Sequence, residues 1–272
     1  MIVQLAQNLV SLKKEFAKNY SGKSQMQEVI PISTSESFQI KQQDLELLHQ
    51  FATKNPIYYN SYEDVVNDTK CIVYEGDINR YWLNSIQHGS SNAPFSPTWI
   101  MSAYVAALMT KELGYFEIVD IGSGDGRIAF CAKVLDMEAY SIELDEQLVD
   151  LQKLLVTTLD FHPFCSDATT FDYTSLNLNN PAFFIGGLAQ MGGVALATGV
   201  IEKIMSQEFW KQSGWVFAGT LSQKYAPDPK NEAGWGTLIE SNKLHKLQTI
   251  PLPTVWTFHE TDETPYIFAE PL

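Results

Sequence analysis

Glu117-Ile118-Val119-Asp120-Ile121-Gly122-Ser123-Gly124-Asp125-Gly126-Arg127-Ile128 is the stretch on which the reading of this chain turns. Ile118 to Ile121 is a short apolar run of the kind that forms a buried parallel strand. Three glycines at alternate positions follow, and then Ile128, Ala129, Cys131, Ala132 and Leu135 recur on one helical face. Strand, glycine turn and helix start together present bare backbone to a ligand.

A dinucleotide site needs G-x-G-x-x-G, whose third glycine lets the helix pack on the strand. Arg127 stands at that position, so the pattern fails by one residue. Asp120 instead ends the strand, and with Asp125 it makes the turn acidic, which repels a pyrophosphate. A ligand carrying an amine, a sulfonium and ribose hydroxyls suits such a turn, and that ligand is S-adenosyl-L-methionine. The D-x-G-x-G-x-G arrangement looks like the first motif of the class I methyltransferases. Its cradle would be made by Asp120, Gly122, Ser123, Gly124, Asp125 and Gly126.

The chain has 272 residues, 45% of them hydrophobic, enough for one large α/β domain with an appendage. A net charge of -14 argues against a general nucleic-acid binder, which needs a basic face. Three scattered cysteines, Cys71, Cys131 and Cys165, exclude a disulfide framework and suit a reducing cytoplasm. The five histidines form no ligand pair at helical spacing, so no metal site is expected. No apolar run reaches the length of a membrane span, and the first residues lack the pattern of a signal peptide.

Along the chain, Ile2, Leu5, Leu9, Leu12 and Phe16 predict an amphipathic helix over residues 2–18, and residues 20–40 read as a connector. A second helix is expected over 42–52. Short helices are expected over 63–68 and, capped by Asp77, over 77–86. A loop over 89–97 leads into a long helix from Thr98. Strands are then expected over 118–121, 139–142, 163–166, 182–185 and 215–219, with helices over 146–158 and 194–205 between them. The tail reads as strands over 247–250, 255–259 and 266–269. Repeated β-α units imply a doubly wound, mostly parallel Rossmann-like sheet with an antiparallel edge strand. Residues 1–92 form a helical N-terminal extension or cap, and residues 93–272 the methyltransferase domain.

Ligands of such a sheet bind beyond the carboxyl ends of the strands. Glu143, directly after the second strand, can accept hydrogen bonds from both ribose hydroxyls. Asp167 after the third can accept from the adenine amino group, with the Ala168 N–H beside it, or it can be an ordinary turn aspartate. Gln190 follows the fourth strand and is either a substrate contact or a helix cap.

Beyond the glycine motif, Ala93-Pro94-Phe95-Ser96-Pro97-Thr98, Phe184-Ile185-Gly186-Gly187-Leu188-Ala189-Gln190-Met191 and Thr254-Val255-Trp256-Thr257-Phe258 occur in this order. The four segments together resemble a protein-lysine methyltransferase group. That group includes the ATP synthase c-subunit lysine methyltransferases and the small archaeal protein-lysine methyltransferases. Ser96 stands where the group usually has valine. The resemblance implies a protein-lysine acceptor and brings Pro94, Phe95 and Thr98 to the cofactor. The loop over 94–97 enters the sheet's ligand edge, so Phe95 is expected either as an apolar wall against the acceptor, with Gln190 a polar guide, or as a core residue of a proline-stiffened linker. A small-molecule N- or O-methyltransferase and a non-catalytic cofactor-binding protein are the alternatives. The expected partner is a protein or small-molecule methyl acceptor, with no nucleic acid.

Overall fold

The computed structural model describes residues 1–77, 95–156, 159–186, 193–219, 221, 229–256 and 263–272. Its centre is β4 (Glu117–Ile121), the apolar run that precedes the glycines. On one side lie β5 (Glu138–Glu143) and β6 (His162–Cys165). On the other lie β7 (Pro181–Gly186), β8 (Gly214–Ala218), β10 (Glu263–Pro271) and, at the edge, β9 (Leu244–Pro253). The order β6-β5-β4-β7-β8-β10-β9 makes a seven-stranded mixed α/β sheet in which β10 alone runs against the rest. Ile121 is in register with Ile142 on one side and Ile185 on the other. The chain leaves β4 in one direction and returns to β7 in the other, so the topological switch point lies at the carboxyl end of β4.

Both faces of the sheet are covered, which is why its strands read as apolar runs rather than alternations. Ile118, Phe184, Val216 and Phe268 join the core on one face. Val119, Phe183, Ile185, Trp215 and Phe217 join that on the other, under α6 (Gly193–Met205). α3 (Ile100–Glu112) is buried on almost every side, packed between α1 (Ile2–Asn19) and α4 (Arg127–Val134). α5 (Glu146–Leu155) follows β5, and the short α7 (Gly236–Ser241) precedes β9.

Residues 1–77 carry the two expected helices, α1 and α2 (Gln42–Lys54), and also a sheet that the sequence reading did not contain. β1 (Met26–Pro31) falls inside the supposed connector, and β2 (Tyr58–Val66) and β3 (Thr69–Gly76) complete the antiparallel order β1-β3-β2. The helix expected over 63–68 is therefore a strand and a turn. Asn67 and Asp68 take φ of 51° and 61°, the paired left-handed geometry of a two-residue hairpin turn, which closes Val66 against Thr69. β2 is exposed along most of its length, so no buried face imprints an alternation on it. Of the helix expected over 77–86 only Asp77 falls within the described residues. Val255 and Trp256 follow β9 as a bend with one bridge, Met26 to Trp256, and the rest of the strand expected there lies outside the described residues.

That bridge joins β1 to the segment after β9. The Gln27 N–H donates to the Val255 carbonyl at 3.0 Å. The buried Lys13 ammonium of α1 donates to the Gln27 carbonyl at 2.7 Å and to Val255 at 3.3 Å. Burial pushes the Lys13 ammonium down to about 7, against the pull of Glu28.

Candidate active site

A cleft of about 380 Å³ opens at the carboxyl end of β4, where the switch point predicts a ligand. The glycine loop forms its floor. Gly122 and Gly124 take φ of 67° and 57°, a region that side-chain-bearing residues rarely visit. A Cβ on Gly122 would meet nothing within 4 Å, so the backbone there lies open to the cleft. A Cβ on Gly124 would lie 2.5 Å from the Phe95 ring, so that ring packs directly on the loop. Phe95 is thus both a buried core residue and a wall of the cleft, on the glycine-loop side.

Asp120 ends β4 beneath this loop and is 5% exposed. Its Oδ2 is buried with no hydrogen-bond partner among the described residues. Burial pushes the carboxyl up to about 8, an Ala129 backbone N–H partly offsets this, and Glu143 and Asp125 push in the same direction as burial. A buried carboxyl with one oxygen left without a partner among the described residues, beside an open glycine cradle, fits a cationic ligand group that would hold it ionised.

Glu143, at the next strand end, accepts from Gly124 N at 2.8 Å, Leu144 N at 2.8 Å and Asp145 N at 3.0 Å. Burial raises its pKa, and these three N–H groups oppose the rise. The carboxylate therefore braces the loop at the mouth of the cleft. Asp145, not Glu143, caps α5, accepting from Gln147 N. Asp167 also lines the cleft, but its Oδ1 accepts from Thr169 N and Oγ1 at 2.8 and 2.7 Å, the turn-aspartate geometry. Ala168 is buried beside it, and Thr98 and Ser123 line the same cleft. Pro94 and Gln190 lie outside the described residues.

Asp125 also lines the cleft, and its carboxylate is engaged within the protein. It is fully buried and held on both oxygens by Arg127, with Asn55 Nδ2 donating to Oδ2 at 2.8 Å. Arg127, read from the sequence only as the residue that spoils a dinucleotide motif, also reaches Glu28 at 2.8 Å and the Thr98 carbonyl. A signal for this was present. A cation in the first turn of a helix opposes the helix dipole and so calls for carboxylates nearby. From the other side Gln152 donates to Ser123 Oγ at 2.9 Å and to the Gly124 carbonyl at 2.7 Å. Nothing in the periodicity of α5 marked Gln152.

Across from the loop the wall is mostly apolar: Phe184, Leu196, Pro253, Trp256 and Tyr266. The Thr254 hydroxyl and Trp99 indole, on the same cleft, are buried without hydrogen-bond partners among the described residues. No cluster of three or more metal-ligating side chains occurs among the described residues, nor any helix long and apolar enough to cross a membrane.

No family model and no curated protein matches the chain. Solved structures do resemble it. The PH0226 protein from Pyrococcus horikoshii OT3 is 9% identical, covering 63% of this chain and 89% of its own at a TM-score of 0.47. The glycopeptide N-methyltransferase MtfA, solved with S-adenosylmethionine, is 10% identical over 62% and 94% at 0.45. The Pyrococcus abyssi tRNA (uracil-54, C5)-methyltransferase, solved with S-adenosyl-L-homocysteine, is 12% identical over 65% and 39% at 0.46. Identities this low carry neither substrate nor residue roles across.

Proposed function

We propose that the chain is an S-adenosylmethionine-dependent methyltransferase whose acceptor is the side-chain amine of a protein lysine. The observation that carries the cofactor is the pairing of an open glycine cradle with the buried Asp120 carboxyl, whose Oδ2 has no hydrogen-bond partner among the described residues, at the sheet's switch point. Asp120 would hold the ligand's ammonium or face its sulfonium. Glu143 has acceptor capacity left for ribose hydroxyls, and Ala168 and Asp167 would border the adenine. Bound there, S-adenosylmethionine would supply an electrophilic methyl carbon to the acceptor nitrogen, with the thioether S-adenosylhomocysteine as leaving group.

The acceptor class rests on the cleft's electrostatics together with the lysine-group resemblance. Five carboxyl groups and one guanidinium line the cleft; the guanidinium offsets Asp125, Asp120 keeps its proton at neutral pH, and Glu143, Asp145 and Asp167 leave the lining acidic. Such a lining repels a phosphate backbone and attracts an amine. Lysine must lose its proton to react, and at a reference pKa of about 10.4 few lysines have done so at neutral pH. The apolar wall of Phe184, Trp256 and Tyr266 would desolvate the ammonium and lower that pKa. Holding amine and methyl in line can then supply about 7–11 kcal/mol of the barrier without a dedicated base. In this reading residues 93–272 perform the transfer, Phe95 supports it as part of the wall, and Gln190 is a polar guide for the acceptor.

The test is mass spectrometry of a cell extract incubated with the protein and methyl-labelled cofactor. Label on protein lysines is expected, with an initial rate that climbs from pH 7 to 9. Label confined to small molecules or nucleic acid would overturn the acceptor. No label, with cofactor bound, would leave a binding protein without catalysis.

A further inference from the structure

Resting on that assignment of the cofactor cleft, we propose that the N-terminal extension is part of the cofactor site, with Glu28 and Asn55 as positioning residues that hold the glycine loop through Arg127 and Asp125. Glu28 sits in β1, fully buried. Its Oε1 accepts from Arg127 Nη1 at 2.8 Å and from the Tyr58 hydroxyl at 2.6 Å, and its Oε2 accepts from Ile100 N at 2.9 Å. One carboxylate of the extension thus fixes the start of α3, the hydroxyl of β2 and the first residue of α4.

Arg127 carries the restraint onward. Its Nε donates to Asp125 Oδ1 at 2.8 Å, its Nη2 to Asp125 Oδ2, and its Nη1 to the Thr98 carbonyl. Asn55, the residue that ends α2, closes the circuit on Asp125 from the extension side, while its Oδ1 accepts from Ile57 N at 3.2 Å. Asp125 stands between two glycines with left-handed φ, Gly124 at 57° and Gly126 at 77°. A loop so rich in glycine loses much freedom when it is ordered, and a ligand that must order it binds less tightly. Fixing the one carboxylate between those glycines removes that loss before the ligand arrives. Gln152 grips the opposite edge of the loop, so the two restraints act from different elements. Coupling of this kind is reciprocal, and cofactor in the cleft should slow hydrogen exchange along β1.

The test compares Asn55→Ala and Glu28→Gln with Tyr104→Phe. Tyr104 donates to Asp44 at 2.7 Å and ties α2 to α3 without touching the loop. The Kd of S-adenosyl-L-homocysteine is measured by calorimetry at a temperature where circular dichroism shows every variant folded. Asn55→Ala and Glu28→Gln should weaken binding tenfold or more, while Tyr104→Phe should stay within twofold however far its melting temperature falls. A merely structural role would lower melting temperatures and leave the Kd of the folded protein unchanged, and that result overturns the inference. So does an equal weakening in Tyr104→Phe. If Glu28→Gln does not fold, Asn55→Ala, which leaves the ion pairs in place, decides alone. A wild-type protein that binds no S-adenosylhomocysteine overturns the cofactor assignment, whereas wild-type binding matched by both variants overturns this inference only.

Discussion

The two sides of the cleft are made of different materials. On the glycine-loop side Glu143 takes three backbone N–H groups, Gln152 grips Ser123 and Gly124, and Arg127 locks Asp125. On the other, Phe184, Pro253, Trp256 and Tyr266 present mostly apolar surface to the cleft, and the Thr254 hydroxyl is left without a partner among the described residues. Directed bonds fix a ligand whose polar pattern never changes. An apolar wall desolvates whatever reaches it and tolerates differences in shape. The contrast teaches where a substitution should be felt as lost structure or cofactor and where only as lost turnover.

The strongest way to break the contrast is Arg127→Met, which strips the cation from between two buried carboxylates, Glu28 and Asp125. Removing one partner of a buried ion pair costs about 3–5 kcal/mol. Urea denaturation should show a loss of that order, and a negligible loss would mean that charge does not hold this side together. Next comes Glu143→Ala. Each charge-assisted bond lost removes about 1.5–3 kcal/mol, so cofactor affinity should fall roughly 10- to 100-fold in an equilibrium titration. Unchanged affinity would return Glu143 to a purely structural brace.

A third effect follows from Asp120. Its folded pKa of about 8 lies above the unfolded carboxylate value, so the empty protein prefers the protonated form. The stability tied to that proton is full at acid pH and is lost as pH rises through 8. A cationic ligand wants the ionised form, so affinity for S-adenosylmethionine should rise about tenfold from pH 7 to pH 9, with proton release on binding at the lower end. Calorimetry in buffers of differing ionisation enthalpy reads both. Asp120→Asn should abolish the dependence, and a variant that keeps it would assign the titration elsewhere. The smallest effect sharpens the far wall. Thr254→Val removes a buried unpartnered hydroxyl at constant shape and should leave cofactor affinity within twofold, with stability unchanged or slightly raised. A tenfold drop in turnover with unchanged affinity would instead give that hydroxyl to the acceptor.

The sheet was legible because each of its inner strands is covered on both faces and reads as a run such as Ile118-Val119-Asp120-Ile121 or Ala182-Phe183-Phe184-Ile185. The strand-end acids Asp120 and Glu143 were legible because sheet topology dictates where ligands go. β1 was not. Its Gln27 and Glu28 look like surface residues, yet both are fully buried, because the counter-ion that makes Glu28 tolerable comes from Arg127, 99 residues on. β2 was missed for the opposite reason, its exposed edge leaving no buried pattern to read, although Asn67-Asp68 did announce the turn. Arg127 and Gln152 act through partners that spacing along one helix cannot reveal.

The buried Glu28 has a consequence for how the chain comes into being. A growing polypeptide emerges from its amino end, so Glu28 and Lys13 are synthesised well before Arg127 and Val255, their partners 99 and 242 residues later. Closing β1 before Arg127 exists would bury the Glu28 carboxylate without the cation that contacts it, leaving only the weaker pull of Lys13, at a cost of several kcal/mol. Burial of β1 should therefore wait for the glycine loop, although domains generally fold amino end first. In that interval Leu5, Leu9, Leu12 and Phe16 have no sheet to cover them. β1 is made before the loop that neutralises it, and until the two meet α1 keeps an uncovered apolar face.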